Sequence, residues 1–71
     1  MNALSAKKLL NSKWTKVNPE CKEKHFLVTE VNYDENGMVT DCLIEAVMSK
    51  RSYSIEWRGL RDSEKWITGW Q

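Results

Sequence analysis

The stretch HFLVTEVNYDENGMVTDCLIEAVM, residues 25–48, decides what this chain can fold into. Both halves are rich in β-branched and aromatic residues, which suit a pleated, half-buried surface. Between them lies DENG, and Asn36-Gly37 is the strongest short hairpin signal, because a type I′ turn needs positive φ at both central residues. With that two-residue turn, Tyr33 faces Thr40, Val31 faces Cys42, Thr29 faces Ile44 and Leu27 faces Ala46. A three-residue turn with a bulge at Gly37 moves the pairing by one and sets Phe26 against Ala46 and Val28 against Ile44. Both registers leave apolar residues on the second face, with Phe26, Val28, Leu43 and Val47 to be accommodated. The sheet must therefore curl or be covered by another element.

Upstream, Trp14, Thr15 and Val17 in KWTKV predict a first strand closed by Asn18 and Pro19, and Glu20 to Lys24 reads as a charged loop. The first ten residues predict a short helix with Asn2 as N-cap, Ala3, Ala6 and Leu10 on one face, and Leu4 and Leu9 flanking it. Alone it would be marginal, so it must dock. Downstream, MSKR turns the chain and SYSIEW alternates, with Tyr53, Ile55 and Trp57 pointing one way. Arg61 to Lys65 predicts a helical turn capped by Asp62 or Ser63, and WITGWQ either continues it or forms a closing strand.

Seventy-one residues allow one domain, with residues 1–12 as helix and lead-in and 13–71 as β core. A hydrophobic fraction of 41% with 30% charged residues is that of a soluble globular domain, and no apolar run is long enough to cross a membrane. No signal-peptide pattern precedes Cys21 and Cys42, so reduced thiols, a cytoplasmic location and no membrane partner are expected. The net charge of +1 conceals a partition. Residues 1–24 carry six lysines against Glu20 and Glu23. Residues 25–48 carry five acidic residues and no Lys or Arg, and residues 49–71 are again basic. In the folded state these blocks can neutralise one another, which weakens any argument from lysine content to nucleic acid.

Little here suggests catalysis or a cofactor. Cys21, His25 and Cys42 are the conventional metal-ligand types, but one loose C-x3-H and a distant cysteine are not the paired spacing of a zinc site, so no metal is expected. Cys42 reads as a small buried hydrophobe, while Cys21 and His25 read as exposed and lack an evident orienting acid. Gly37, Gly59 and Gly69 are too far apart for a phosphate loop. Basic and aromatic residues are left as candidates: Lys50, Arg51, Tyr53, Arg58, Arg61 and Trp70, with Lys65 nearby, a set able to stack and neutralise single-stranded nucleic acid. Against this stands stability. A buried tryptophan removes roughly 150 to 250 Å² from water, worth about 4 to 6 kcal/mol gross, whereas whole domains are stable by only about 5 to 15 kcal/mol. Three of the four tryptophans are therefore expected to be largely buried, Trp57 and Trp66 chiefly as core, and the fourth partly exposed; which one is exposed stays open, and the functional question falls on Trp70.

The runs KLLNSKWT (8–15), NPE followed by KHFLV (18–28), IEAVMSKRSYSIEWRGLRDSEKW (44–66) and the terminal GW (69–70) together resemble the small tryptophan-rich family of uncharacterised bacterial proteins, nearly the whole chain from Lys8 onwards being similar. The resemblance implies that Trp14, Trp57, Trp66, Trp70, the turn at 48–51 and the terminal Gly69-Trp70 belong to the family pattern. That family has no assigned activity, and it implies no catalytic or binding residues. Cys21 and Cys42 are not part of its pattern.

The expected fold is mainly β: a small SH3-like barrel or a strongly curled antiparallel sheet of four or five strands, with a short N-terminal helix and a helical turn near the C-terminus. A helical turn before a last short strand imitates the barrel topology, but fold analogy licenses no function. The expected role is a non-enzymatic binding or adaptor module. It contacts RNA or single-stranded nucleic acid through the basic and aromatic set, or else a protein through an exposed aromatic patch or a free sheet edge.

Overall fold

In a computed structural model, which describes Asn2 and residues 4–71, five strands form one antiparallel sheet. They are β1 (Lys13–Glu20), β2 (Glu23–Tyr33), β3 (Val39–Ala46), β4 (Ser52–Ser54) and β5 (Trp66–Thr68), in the spatial order β4-β3-β2-β1-β5.

The central hairpin combines both registers that the sequence admits. Phe26 faces Ala46 and Val28 faces Ile44, as the bulged turn requires, yet Val31 faces Cys42, as in the two-residue register, and Tyr33 then faces Val39. The shifts fall between Val28 and Glu30 and between Asn32 and Tyr33, leaving Thr29 and Thr40 as the extra residues. Each extra residue reverses the alternation of its strand. The apolar residues switch phase at the same points, so Phe26, Val28 and Val31 share one face with Ala46, Ile44 and Cys42. Neither register alone would collect them. The connection is the three-residue form: Gly37 has φ 79° and Asn36 does not have positive φ. The Gly37 amide donates to the Asp34 carbonyl at 3.0 Å, and the Asp34 carboxylate accepts from the Asn36 and Met38 amides, both at 2.9 Å.

The β1–β2 hairpin departs from the expected charged loop. β1 continues through Pro19 to Glu20, which pairs with Glu23, and Cys21-Lys22 alone make the turn with φ 55° and 62°. That is the conformation in which Asn-Gly would be at ease. β1 absorbs Pro19 where its pairing with β2 is interrupted between Thr15 and Glu20.

The sheet is open, and the barrel alternative does not form. β4 and β5 are three residues each and occupy opposite edges, and β5 pairs with β1 rather than closing on β4. One face is covered by the N-terminal segment and by Leu60, giving a core of Leu9, Trp14, Phe26, Val28, Cys42, Ile44, Ala46 and Leu60. Trp14 is 1% exposed, and its indole donates to the Ser12 hydroxyl at 2.8 Å, which in turn donates to the Leu9 carbonyl. Trp57 and Trp66 are half-buried at the margin of this core rather than central to it, because the aliphatic residues of β2 and β3 fill its middle.

The N-terminal helical expectation is revised, while the turn expected after Asp62 forms and a second one precedes it. Near the N-terminus the structure has a single 3-10 turn, Ala6–Lys8, with no side-chain cap. Ala3, assigned to the helix face, lies outside the described residues, and Leu10 is 53% exposed. Asn2 is not a cap but a clamp: its amide nitrogen donates to the carbonyls of Leu60 at 2.9 Å and Trp66 at 2.7 Å, and its backbone amide to that of Arg61. These bonds tie Asn2 to the C-terminal turn, and a helix of this length has little intrinsic stability to oppose them. Near the C-terminus the 3-10 turn is Trp57–Arg61, capped by the Glu56 carboxylate accepting from the Arg58 amide. It ends the alternation of SYSIEW early. Asp62 instead anchors the following turn, its carboxylate accepting from the Glu64 amide at 3.0 Å and its carbonyl from Trp66 at 2.9 Å. Among the described residues no helix is long and apolar enough to cross a membrane.

Candidate ligand-binding cleft

Trp14 and Phe26 pair across β1 and β2, and Lys16 pairs with Trp66 two residues on, so Phe26 and Trp66 project from the same face. Ile44 pairs with Tyr53 on the other side and brings that ring to the same end. The result is a cleft of about 380 Å³ over one face of the sheet, lined by residues of all five strands. That is within the range of small-ligand sites. Its walls are mutually inclined aromatic rings: Phe26 meets Trp66 edge to face at 5.3 Å and 83°, and meets Tyr53 at 6.5 Å and 57°.

Among the residues that line the cleft is Glu23, only 8% exposed. The Tyr53 hydroxyl donates to its Oε1 at 2.7 Å and the Ser49 hydroxyl donates to its Oε2. Ser49 holds the carboxyl below its ordinary range, with help from Tyr53 and from the charges of Arg51 and Lys16, which together outweigh burial. The reciprocal effect raises Tyr53, whose proton is retained chiefly by the hydrogen bond to Glu23 and then by burial. The cleft therefore holds a carboxylate and a neutral phenol at neutral pH. Glu20 and Cys21 form its rim, and the Lys16 ammonium stands 5.8 Å from the centroid of Trp66.

The six residues singled out from the sequence fall in three places. Lys50 and Arg51 are exposed in the β3–β4 turn, next to Tyr53 in the cleft wall; Lys50 has φ 64°. Arg58 and Arg61 are gathered on Trp57, at 5.7 and 5.0 Å from its ring, and Arg61 also donates to the Leu4 carbonyl at 3.0 Å. Trp70 lies on the other face of the sheet. It is 42% exposed and donates from its indole to the Phe26 carbonyl at 2.9 Å, with the Lys13 ammonium 5.0 Å from its ring and His25 6.1 Å away. The strap from Gly69 to Gln71 is held there by Thr15, whose hydroxyl donates to the Gly69 carbonyl and accepts from the Gln71 amide. The structure thus brings Arg51 and Tyr53 together, and Arg58 with Arg61, but separates Trp70 from both pairs.

Sequence reasoning missed Glu23, Ser49 and Lys16 as cleft residues. Glu23 is one acidic residue in a lysine-rich run, and its partners lie 26 and 30 residues away, so no local spacing announces them. Cys21, His25 and Cys42 also fall apart, at the hairpin tip, on the Trp70 face and in the core. Among the described residues no three potential metal ligands gather.

Fold and site define a small open-sheet domain with an aromatic-walled, carboxylate-bearing cleft at one end of one face. The chain belongs to the tryptophan-rich protein family DUF2389, whose function is unknown; the match covers residues 12–71 and so includes every residue of the cleft. No curated protein and no solved structure matches it.

Proposed function

We propose that the domain is a non-enzymatic, cytoplasmic adaptor module that binds a segment of another protein in this cleft. The carrying observation is the juxtaposition of Phe26, Tyr53 and Trp66 around ionised Glu23, beside the edge strand β4. Rigid aromatic walls offer a large apolar contact at low entropic cost, and an edge strand offers main-chain hydrogen bonds to an extended peptide. Nucleic acid fits the same cleft poorly, because Glu20 and Glu23 would face its phosphates. Arg58, Arg61 and Tyr53 already have partners within the fold.

The test is selection of a displayed random-peptide library on the wild-type chain and on Trp66→Ala. Enrichment of a motif on the wild type alone, with its synthetic peptide shifting the amides of Phe26 and Tyr53, is the expected result. Peptides that shift only amides elsewhere, or no enrichment, contradict it. Mixed oligonucleotides run in parallel distinguish the other ligand class. Shifts at Lys13, His25 and Trp70 that collapse steeply with salt would transfer the binding role to the opposite face and to nucleic acid.

A further inference from the structure

The chemistry of the cleft narrows what it holds, a step that rests on the peptide-binding reading above. We infer that the anchor of the bound segment is a basic side chain, arginine or lysine, seated with its cation against Trp66 and Tyr53 and facing the carboxylates of Glu23 and Glu20.

Three observations converge on a cation. Aromatic faces carry the negative part of the ring quadrupole and attract ammonium or guanidinium groups within about 6 Å. The chain already demonstrates this at the site, because Lys16 places its own ammonium 5.8 Å from the Trp66 centroid. Second, Glu23 is ionised, and its two hydrogen bonds use about half of the lone-pair sites of a carboxylate. It can therefore accept further bonds, and a guanidinium presents donors in a matching fork. Third, the alternatives are penalised. An acidic anchor would face Glu20 and Glu23 with only Lys16 and Arg51 to offset them, and a purely apolar one would bury the Glu23 carboxylate without giving it a further partner.

Lys16 then has a defined role as an internal occupant that the ligand must displace. Its stem is flexible and its ammonium can return to water, so displacement is feasible, but its charge opposes an incoming cation. Arg51 is the other positive charge that acts on Glu23. Removing the Lys16 charge should therefore tighten binding of a basic anchor, the reverse of what a structural or phosphate-binding lysine would do.

The experiment titrates the whole ¹⁵N-labelled chain with three capped alanine peptides carrying arginine, norleucine or glutamate at the centre. The arginine peptide is expected to shift the Trp66 indole and the Glu23 and Tyr53 amides, and to bind about 2- to 5-fold tighter than the norleucine peptide, the range of an exposed cation–π contact. The glutamate peptide should leave those signals in place. Lys16→Met should tighten the arginine peptide and leave the norleucine peptide unchanged. Glu20→Gln, at the exposed rim and outside the Ser49–Glu23–Tyr53 bonds, should weaken the arginine peptide without touching the fold. Equal binding of norleucine, preference for glutamate, or weakening by Lys16→Met overturns the inference while leaving the cleft a peptide site. Three peptides that all leave the cleft amides unmoved also overturn it. The peptide-binding reading falls as well only if the library-selected peptides leave the cleft untouched.

Discussion

The turn between β1 and β2 is a strained element whose relief can be calculated and measured. Cys21 and Lys22 both occupy the left-handed region, at φ 55° and 62°, in a two-residue loop between paired Glu20 and Glu23. Side chains other than Gly, Asn and Asp pay roughly 1 to 2 kcal/mol in that conformation. Replacing Lys22 with glycine removes that strain but loses roughly 0.5 to 1 kcal/mol through the greater freedom of the unfolded chain. Replacing Cys21 with asparagine adds a few tenths of a kcal/mol through its tolerance of the left-handed region. The double variant Cys21→Asn/Lys22→Gly should thus be more stable by about 1 kcal/mol, which for a domain of this size raises Tm by about 4 to 8 °C. Thermal unfolding followed by circular dichroism and urea unfolding followed by tryptophan fluorescence measure it. The urea midpoint should rise with an unchanged slope. An unchanged or lowered Tm would refute the assignment of both residues to left-handed backbone. The same turn spaces Glu20 from Glu23, so its geometry also sets the separation of the two carboxylates at the cleft.

Other expectations follow from the core and the titrating groups. Trp14→Ala should cost about 3 to 5 kcal/mol and unfold much of the population, since it empties the best-buried aromatic position; Trp14→Phe, which keeps a ring there but loses the bond to Ser12 and part of the buried volume, should cost less in the same urea titration. Because Glu23 is lowered in the folded state, its contribution is fully present above the ordinary carboxyl value of 4.5 and is lost as pH falls through the lowered folded value. Acid unfolding profiles should show this loss, and Glu23→Gln should remove it, whereas an unaltered profile contradicts the network. Cys21 is exposed, and Cys42 is buried with its thiol pushed up by burial and then by Asp41 and Glu56. A thiol reagent at mildly alkaline pH should therefore label one cysteine quickly, and the second only on unfolding.

The sequence made the sheet legible but not its closure. β-Branched and aromatic enrichment around Asn36-Gly37 located the central hairpin, and the two registers drawn from it were each half of the answer. Nothing in Thr29 or Thr40 marks a bulge; the bulges follow from where the apolar pattern changes phase on both strands, a property visible only when the strands are set side by side. The β1–β2 turn was illegible because Cys-Lys carries none of the usual turn chemistry. The turn after Asp62 was legible from its cap residue, whereas the 3-10 turn Trp57–Arg61 before it, capped by Glu56, was not. Which tryptophan is exposed was not legible, and Trp57 and Trp66 were overstated as core, since Val28, Ile44, Ala46 and Leu60 fill it. At the candidate site, Tyr53 and Arg51 were visible as an aromatic next to a charge. Their relation to Glu23 depends on contacts across the sheet, and pairings of that range leave no local signature.

The account stands most directly on which tryptophan meets the ligand. The four indole N–H signals of the chain can be followed in one NMR titration with a library-selected peptide. Movement of the Trp66 signal, with Trp14 and Trp70 stationary, is the predicted result. A shift of Trp70 while Trp66 stays in place would contradict the cleft as the binding site.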